Sequence, residues 1–184
     1  FYYYFQIDEN RICIIVWDVS GKGIPAAIFM AVSKTSLQSI ALRGAPVNEC
    51  MNSVNNVLVR ESIENVFVTV FYGILNTKTG DFDFCNAAHN PPFLLGRDRT
   101  VRALVEVDGI PVGFMANYQY SKQHIKLKQG EAIFLYTDGV TEAENHEEEQ
   151  FSEENLLRVL QSNVDECLPQ LNENIMNTVN VFVD

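Results

Sequence analysis

Two aspartates stand where this 184-residue chain could most readily do chemistry. Asp18 follows the apolar run "RICIIVW" and opens "DVSGKGIPAAIF"; Asp138 follows "EAIFLYT" and precedes Gly139. Each carboxylate therefore closes an apolar, strand-like stretch and enters a loop that carries glycine. A lone Asp-Gly is ordinarily a turn whose carboxylate accepts a bond from a neighbouring backbone N–H. Two such strand ends can instead converge at one rim of a sheet, where two carboxylates repel unless a cation lies between them. Mg2+ and Mn2+ are the hard divalent ions that take carboxylate, carbonyl and water oxygens.

Other chemistries fit these residues less well. Gly21, Gly23 and Ala26 match G-x-G-x-x-A between a strand and a helix, the setting of a dinucleotide fingerprint. That fold needs a second parallel strand ending in an acid about 20 residues on. The interval here reads as helix, and Asp18 would face the pyrophosphate with like charge. A Walker A loop fails because Lys22 is followed by Gly23 and no glycine lies five positions before Gly21. No G-x-S-x-G occurs, and His89, His124 and His146 have no spacing that suggests a triad or a metal cluster. His124 lies in a polar strand and His146 in an acidic loop, which places both at the surface.

The elements that must hold the two aspartates follow from periodicity. "RICIIVW" is short, continuous and β-branched, as expected of a strand covered on both faces. Pro25 suits a first helical turn, and Ala26, Ala27, Phe29, Met30, Leu37 and Ile40 carry that helix to a stop at Gly44. Pro46 restarts the pattern with Met51, Val54 and Leu58, giving a helical hairpin over 24–60. "NVFVTVFYGIL", the turn "NTKTG" and "DFDFCNAA" predict a β-hairpin. "FLL", "VRALVEV", "YQYSKQHIKLK" and "EAIFLYT" add strands, and "HNPP", "GRDRT" and Gly130 break them. Two closing helices follow, one opened by Ser152, Glu153 and Glu154, the other carrying Leu168, Leu171, Ile175, Met176, Val179 and Phe182. Strands this apolar call for helix layers outside a sheet sandwich.

Composition sets the outer bounds. With 47% hydrophobic residues the chain can bury a full core as a single domain, and no linker or repeat divides it. Thirteen Lys and Arg against 24 acids, a formal charge of -11, argue against nucleic acid as a partner. Part of the excess lies in "EAENHEEEQ", which reads as a solvated loop. No apolar run approaches the roughly 18 residues of a membrane span and no leader opens the chain. Cys13, Cys50, Cys85 and Cys167 are far apart and read as buried thiols in a reducing compartment. The expectation is a cytoplasmic domain without direct membrane insertion, although its parent protein could be membrane-anchored.

Three stretches, in this order and spacing, also carry a resemblance: "DVSGKGIPAAIFMA", "FVTVFYGILNTKTGDFDFCNAAHNPPFLL" and "LYTDGVTEAEN". They resemble the bacterial SpoIIE/RsbU-type phosphatases of the metal-dependent protein phosphatase superfamily, over essentially the whole chain. The resemblance implies an α+β fold, a four-layer α-β-β-α sandwich of mainly antiparallel sheets flanked by helices. It implies hydrolysis of phosphoserine or phosphothreonine on a protein by a metal-bound hydroxide, with two Mn2+ or Mg2+ ions expected in the complete domain. By motif match Asp18 and Asp138 are the catalytic metal ligands and Val19 adds its backbone carbonyl. Lys22, His89 and Asn90 are the candidates for substrate binding, with His89 and Asn90 expected mainly to shape the loop.

The same resemblance implies partners: a phosphorylated anti-sigma-factor antagonist with a STAS domain, an upstream sensor domain in the parent protein, and a homodimer acting through the hairpin at 24–60. The family's first motif, approximately G-G-D-F-Y-D, places an aspartate just before Phe1 and puts Tyr3 where its second aspartate stands. Its last motif is expected shortly after Asp184. Residues 1–184 thus read as a single SpoIIE-like domain, a fragment lacking the first and last motifs. The alternative is a catalytically impaired, phosphatase-like binding module that regulates by sequestering its partner.

Overall fold

The computed structural model describes residues 1–21, 23–61, 66–104 and 109–184. The elements in order are β1 (Tyr2–Gln6), β2 (Arg11–Val19), α1 (Gly23–Ala41), α2 (Val47–Arg60), β3 (Val68–Asn76), β4 (Asp81–Ala87), β5 (Phe93–Leu95), β6 (Val101–Ala103), β7 (Gln123–Lys126), β8 (Ala132–Phe134), α3 (Asp138–Thr141), α4 (Ser152–Ser162) and α5 (Leu168–Val183). They form two compact units, Phe1–His89 with Glu106–Lys128, and Asn90–Val105 with Gln129–Asp184. Every strand pairing among the described residues is antiparallel, so the α+β class read from the sequence holds.

The first unit is built on a five-stranded sheet ordered β1-β2-β3-β4-β7. One face of it carries Cys13, Ile15 and Trp17 from β2, Val70 and Tyr72 from β3, and Cys85 and Ala87 from β4. The α1–α2 hairpin covers this face with Phe29 and Leu37 from α1 and Met51, Val54 and Leu58 from α2. On α1 the buried positions are Phe29, Ser33, Leu37 and Ala41, four residues apart, which puts them on one helical face. Gly44, at φ 76°, ends the helix as expected, its N–H bonding to Ala41 O at 2.9 Å. The other face of the sheet carries the clustered rings of Phe71, Phe82 and Phe84, with centroids 5.3–6.1 Å apart, Phe84 stacking on both of the others.

The second unit pairs a three-stranded sheet, β6-β5-β8, with α3, α4 and α5. Its core joins Phe93, Leu95 and Tyr136 to Phe151, Leu156 and Leu160 and to Leu171, Ile175 and Val179. Ser152 does open α4: its Oγ accepts the Asn155 N–H at 3.4 Å.

Several strands differ from the sequence expectation. β1 is an added edge strand with Tyr2 and Tyr4 exposed. β6 and β8 shrink to three residues each because their shared partner, β5, is only Phe93–Leu95. Part of "VRALVEV" lies outside the described residues. "EAENHEEEQ" is largely exposed, though a bridge between Glu144 and Gln150 closes it into a hairpin. Three of the cysteines are buried, but Cys167 is exposed in front of α5, a correction to the reading of four buried thiols. No helix among the described residues is long and apolar enough to cross a membrane.

Candidate functional site

β2 is paired along both edges, to β1 and to β3, and it ends at Asp18 and Val19. Alternation along the strand sends Trp17 to the helix-covered face, where it is 1% exposed, and Asp18 to the opposite face. The Asp18 carboxylate is half-buried, and its Oδ1 accepts the Val19 N–H at 3.0 Å. Immediately beyond, Gly21 and Gly23 adopt φ 104° and 77°, with no heavy atom within 4 Å of either missing Cβ. They are needed for left-handed backbone rather than for space, and they turn the chain from β2 directly into α1. A hollow of about 250 Å³ opens here, lined by Phe1, Trp17, Asp18 and Val19 on the strand side and by Ala26 and Met30 of α1.

Opposite Asp18 in the register stands Thr69 of β3. The Thr69 hydroxyl lies 3.0 Å from Nδ1 of His89, a residue 1% exposed. The backbone of His89 is fixed in turn by Asn86, whose Oδ1 accepts the His89 N–H at 2.8 Å and whose Nδ2 donates to the His89 carbonyl at 3.0 Å. Ala88 at φ 57° makes that tight return possible. The first unit therefore groups Asp18, Val19, Thr69 and His89 at one end of the β2–β3 pair. Thr69 and Asn86 are additions that the sequence reading did not single out, because in "FVTVF" and "FCNAA" they read as ordinary strand residues.

Of the remaining candidates, Asn90 and Asp138 lie among the described residues. Lys22 lies outside the described residues. Asn90 and Asp138 belong to the second unit. Asp138 is not at the tip of a strand: β8 ends at Phe134, an extended Thr137 follows, and Asp138 is the first residue of the short helix α3. Its backbone carbonyl accepts the Glu142 N–H at 2.7 Å, so α3 holds the residue in place at the surface of its own unit. Gly139, beside it, is exposed, and a Cβ there would make ordinary contact with Thr137 Oγ1 at 3.6 Å.

A divalent cation can be tested against the donors in hand. The Asp18 carboxylate and the adjacent Val19 carbonyl are hard oxygens at one strand end beside an open hollow, the donor type that Mg2+ and Mn2+ take. Among the described residues no group of three or more His, Cys, Asp and Glu side chains converges. The strand end is thus a partial ligand set of the right chemistry. The dinucleotide reading loses its ground, since β2 has antiparallel neighbours on both sides.

Comparison with known proteins supplies the lineage. The family described as Stage II sporulation protein E (SpoIIE) matches residues 8–182. The chain belongs to the SpoIIE family. It is 32% identical over 141 residues to phosphoserine phosphatase RsbU of Bacillus subtilis (strain 168), covering 77% of this chain and 42% of that protein. It is 27% identical over 143 residues to phosphoserine phosphatase RsbP of the same organism, covering 76% of this chain and 35% of that one. The SpoIIE-family chain therefore spans less than half the length of these relatives. Among solved structures, the RsbU and RsbW domains of a Mycobacterium tuberculosis protein superpose with a TM-score of 0.84 at 22% identity, covering 99% of this chain and 51% of that one. The PP2C phosphatase domain of SpoIIE from Bacillus subtilis, solved with a fragment of its regulatory domain, gives 0.81 at 17% identity, covering 98% and 52%. The fold is that of the PP2C phosphatases.

Proposed function

We propose that this SpoIIE-family chain is a protein serine/threonine phosphatase domain that works with Mn2+ or Mg2+. The observation that carries the reading is the end of β2, where Asp18 and Val19 present a carboxylate and a carbonyl beside the hollow at the Gly21–Gly23 turn. Asp18, the Val19 carbonyl and Asp138 are the residues assigned to hold the cations. Bound there, divalent cations would supply Lewis acidity toward water and offset charge on the phosphoryl oxygens. The chain's own residues do the rest. The β2–β3 ladder holds the Asp18 backbone opposite Thr69, Thr69 and His89 brace that side, and Lys22 and Asn90 are assigned to the phosphoprotein. The β1–β2 register, in which Trp17 N–H bonds to Phe1 O, would set a residue preceding Phe1 opposite Asp18, where the family motif carries an aspartate.

The substrate class we propose is phosphoserine or phosphothreonine on a small regulatory protein, an anti-sigma-factor antagonist of the STAS type. The names of the relatives RsbU and RsbP, both phosphoserine phosphatases, support it. An upstream sensor domain and a homodimer complete the proposed assembly, in the cytoplasm. The second reading, a binding module that sequesters the same partner without turnover, draws on the partial ligand set among the described residues. Phosphatase assay of the parent protein with Mn2+ on a phosphorylated STAS protein, beside Asp18→Ala and Asp138→Ala, separates the two. Turnover lost in both variants with unchanged melting supports the enzyme. Tight partner binding with no turnover in any of the three supports the module, and full activity in Asp18→Ala refutes the proposed site.

A further inference from the structure

The end of the strand pair that carries Asp18 is held by more than its own ladder. Beyond the Val70–Ala87 pair β4 no longer covers β3, so the backbone groups of Val68 need another partner. Val112 provides it: Val68 N–H bonds to Val112 O at 3.0 Å and Val112 N–H to Val68 O at 2.8 Å. On its other edge Val68 pairs with Val19. Its neighbour Phe67 is gripped by Ser20, whose N–H bonds to Phe67 O at 2.9 Å and whose hydroxyl accepts the Phe67 N–H at 2.8 Å. The 67–68 segment is thus fixed between the strand end bearing Asp18 and the loop bearing Val112.

What fixes the loop is one side chain of α2. Asn55 is fully buried, in line with the apolar residues Met51 and Leu58 of its helix. Its Oδ1 accepts the Gly113 N–H at 3.0 Å, and its Nδ2 donates to Met115 O at 2.7 Å. Tyr120 OH adds a longer bond of 3.4 Å to the same oxygen. Gly113, at φ 88°, lies so close to the helices that a Cβ there would meet Phe29 at 3.1 Å and Leu58 at 3.4 Å. A buried amide is costly unless satisfied, and an apolar residue would fill this place without bonding the loop. Asn52 and Asn56, on the same helix, hold only the far end of the loop, through Tyr120 N–H and Asn117 N–H.

We propose that Asn55 is a positioning residue for the Asp18 site, acting through Gly113, Val112 and Val68 on the end of β2. The consequence for cation binding rests on the phosphatase reading; the mechanical link to the strand end does not. Asn55→Ala and the milder Asn55→Ser are compared with Asn52→Ala by amide hydrogen exchange and by Mn2+ titration calorimetry. In the Asn55 variants, exchange at Val112, Val68 and Ser20 is expected to speed up at least tenfold while Phe84 in β4 stays within twofold, and Mn2+ affinity is expected to fall at least tenfold. Asn52→Ala should leave Ser20 exchange and Mn2+ affinity within twofold of wild type. Uniform acceleration of all amides would mean a stability role only and overturns the proposal. So does unchanged exchange at Ser20, or unchanged Mn2+ affinity in a variant whose Ser20 exchanges faster. If Asn55→Ala does not fold, Asn55→Ser decides. A wild type that binds no Mn2+ refutes the metal reading alone, and the exchange data then decide the link by themselves.

Discussion

Asp18→Asn separates the charge of the carboxylate from its shape. The amide has nearly the same volume, and its Oδ1 can keep the 3.0 Å bond from the Val19 N–H, on a strand paired along both edges. A half-buried substitution that keeps this bond should change stability by about 0.5 kcal/mol or less. Its effect on a cation should be far larger. Replacing a group that merely orients a metal ligand costs about 10–100-fold in affinity, so loss of a direct carboxylate should reach about 100-fold or more. Thermal unfolding with added Mn2+ reads this difference. A cation at 100 times its dissociation constant stabilises the folded state by about 2.7 kcal/mol, and at a concentration equal to that constant by about 0.4 kcal/mol. At about 2–4 °C per kcal/mol for a chain of this size, wild type should gain about 5–11 °C. Asp18→Asn at the same Mn2+ concentration should gain about 1–2 °C. A variant that gains as much as wild type refutes Asp18 as a ligand.

Gly73 sits on the face of β3 that carries Phe71, and a Cβ there would overlap the buried Phe82 ring, which stacks on Phe84 and lies tilted against Phe71. Gly73→Ala should cost about 1–3 kcal/mol by overpacking, seen as a lower urea midpoint; an unchanged midpoint would show that the ring stack gives way freely. A thiol reagent should titrate Cys167 alone in the native protein and all four cysteines in denaturant, and rapid labelling of a second native thiol would contradict the burial of Cys13, Cys50 and Cys85. Burial pushes the thiols of Cys13 and Cys50 above the ordinary value of 9.0, so above that pH the unfolded chain releases protons that the folded chain keeps. Stability should therefore fall as pH rises past 9.0, by up to about 1.4 kcal/mol per pH unit for each thiol. Cys13→Ala should show a shallower decline between about pH 9 and 10 than wild type; parallel declines would refute the assignment.

What the sequence made legible was what long periodic segments encode. β2 and the α1–α2 hairpin announce themselves because Ile15, Val16 and Trp17 end a short β-branched apolar run bounded by turn residues, while Met51, Val54 and Leu58 recur at helical spacing, and all six are buried. β1 was hidden because "FYYYF" has no polar alternation: Tyr2 and Tyr4 are exposed while Tyr3 and Phe5 pack on the core. The lengths of β6 and β8 were not legible either. They depend on β5, whose three residues limit both ladders whatever the apolar character of "VRALVEV" or "EAIFLYT". Asp18 and Val19 were readable from the stop of an apolar strand before two glycines. The Thr69–His89 contact joins residues 20 apart across a hairpin, which no local pattern reports. Asn55 did leave a trace, a polar residue four positions after Met51 and three before Leu58 on the apolar stripe of its helix.

The residues that sequence reasoning passed over share one physical device. Ser20, Asn86 and Asn55 each use a single side chain to bond both an N–H and a carbonyl of a distant or returning segment: Phe67, His89, and the pair Gly113 and Met115. Each satisfies backbone groups that the sheet ladders leave over where β2, β3 and β4 end. Because the gripped partner contributes only its backbone, its own side chain carries no signal of the contact. Gly113 is held to glycine by its φ of 88° and by Phe29 and Leu58, but Phe67 and Met115 could be exchanged for other residues of compatible backbone without loss of the bond. The gripping residues cannot, since a hydroxyl or amide that donates and accepts at once has few substitutes. The backbone around the Asp18 strand end is thus held by three small polar side chains, none of them a proposed ligand. Substitutions there should alter the site while every proposed ligand remains in the sequence.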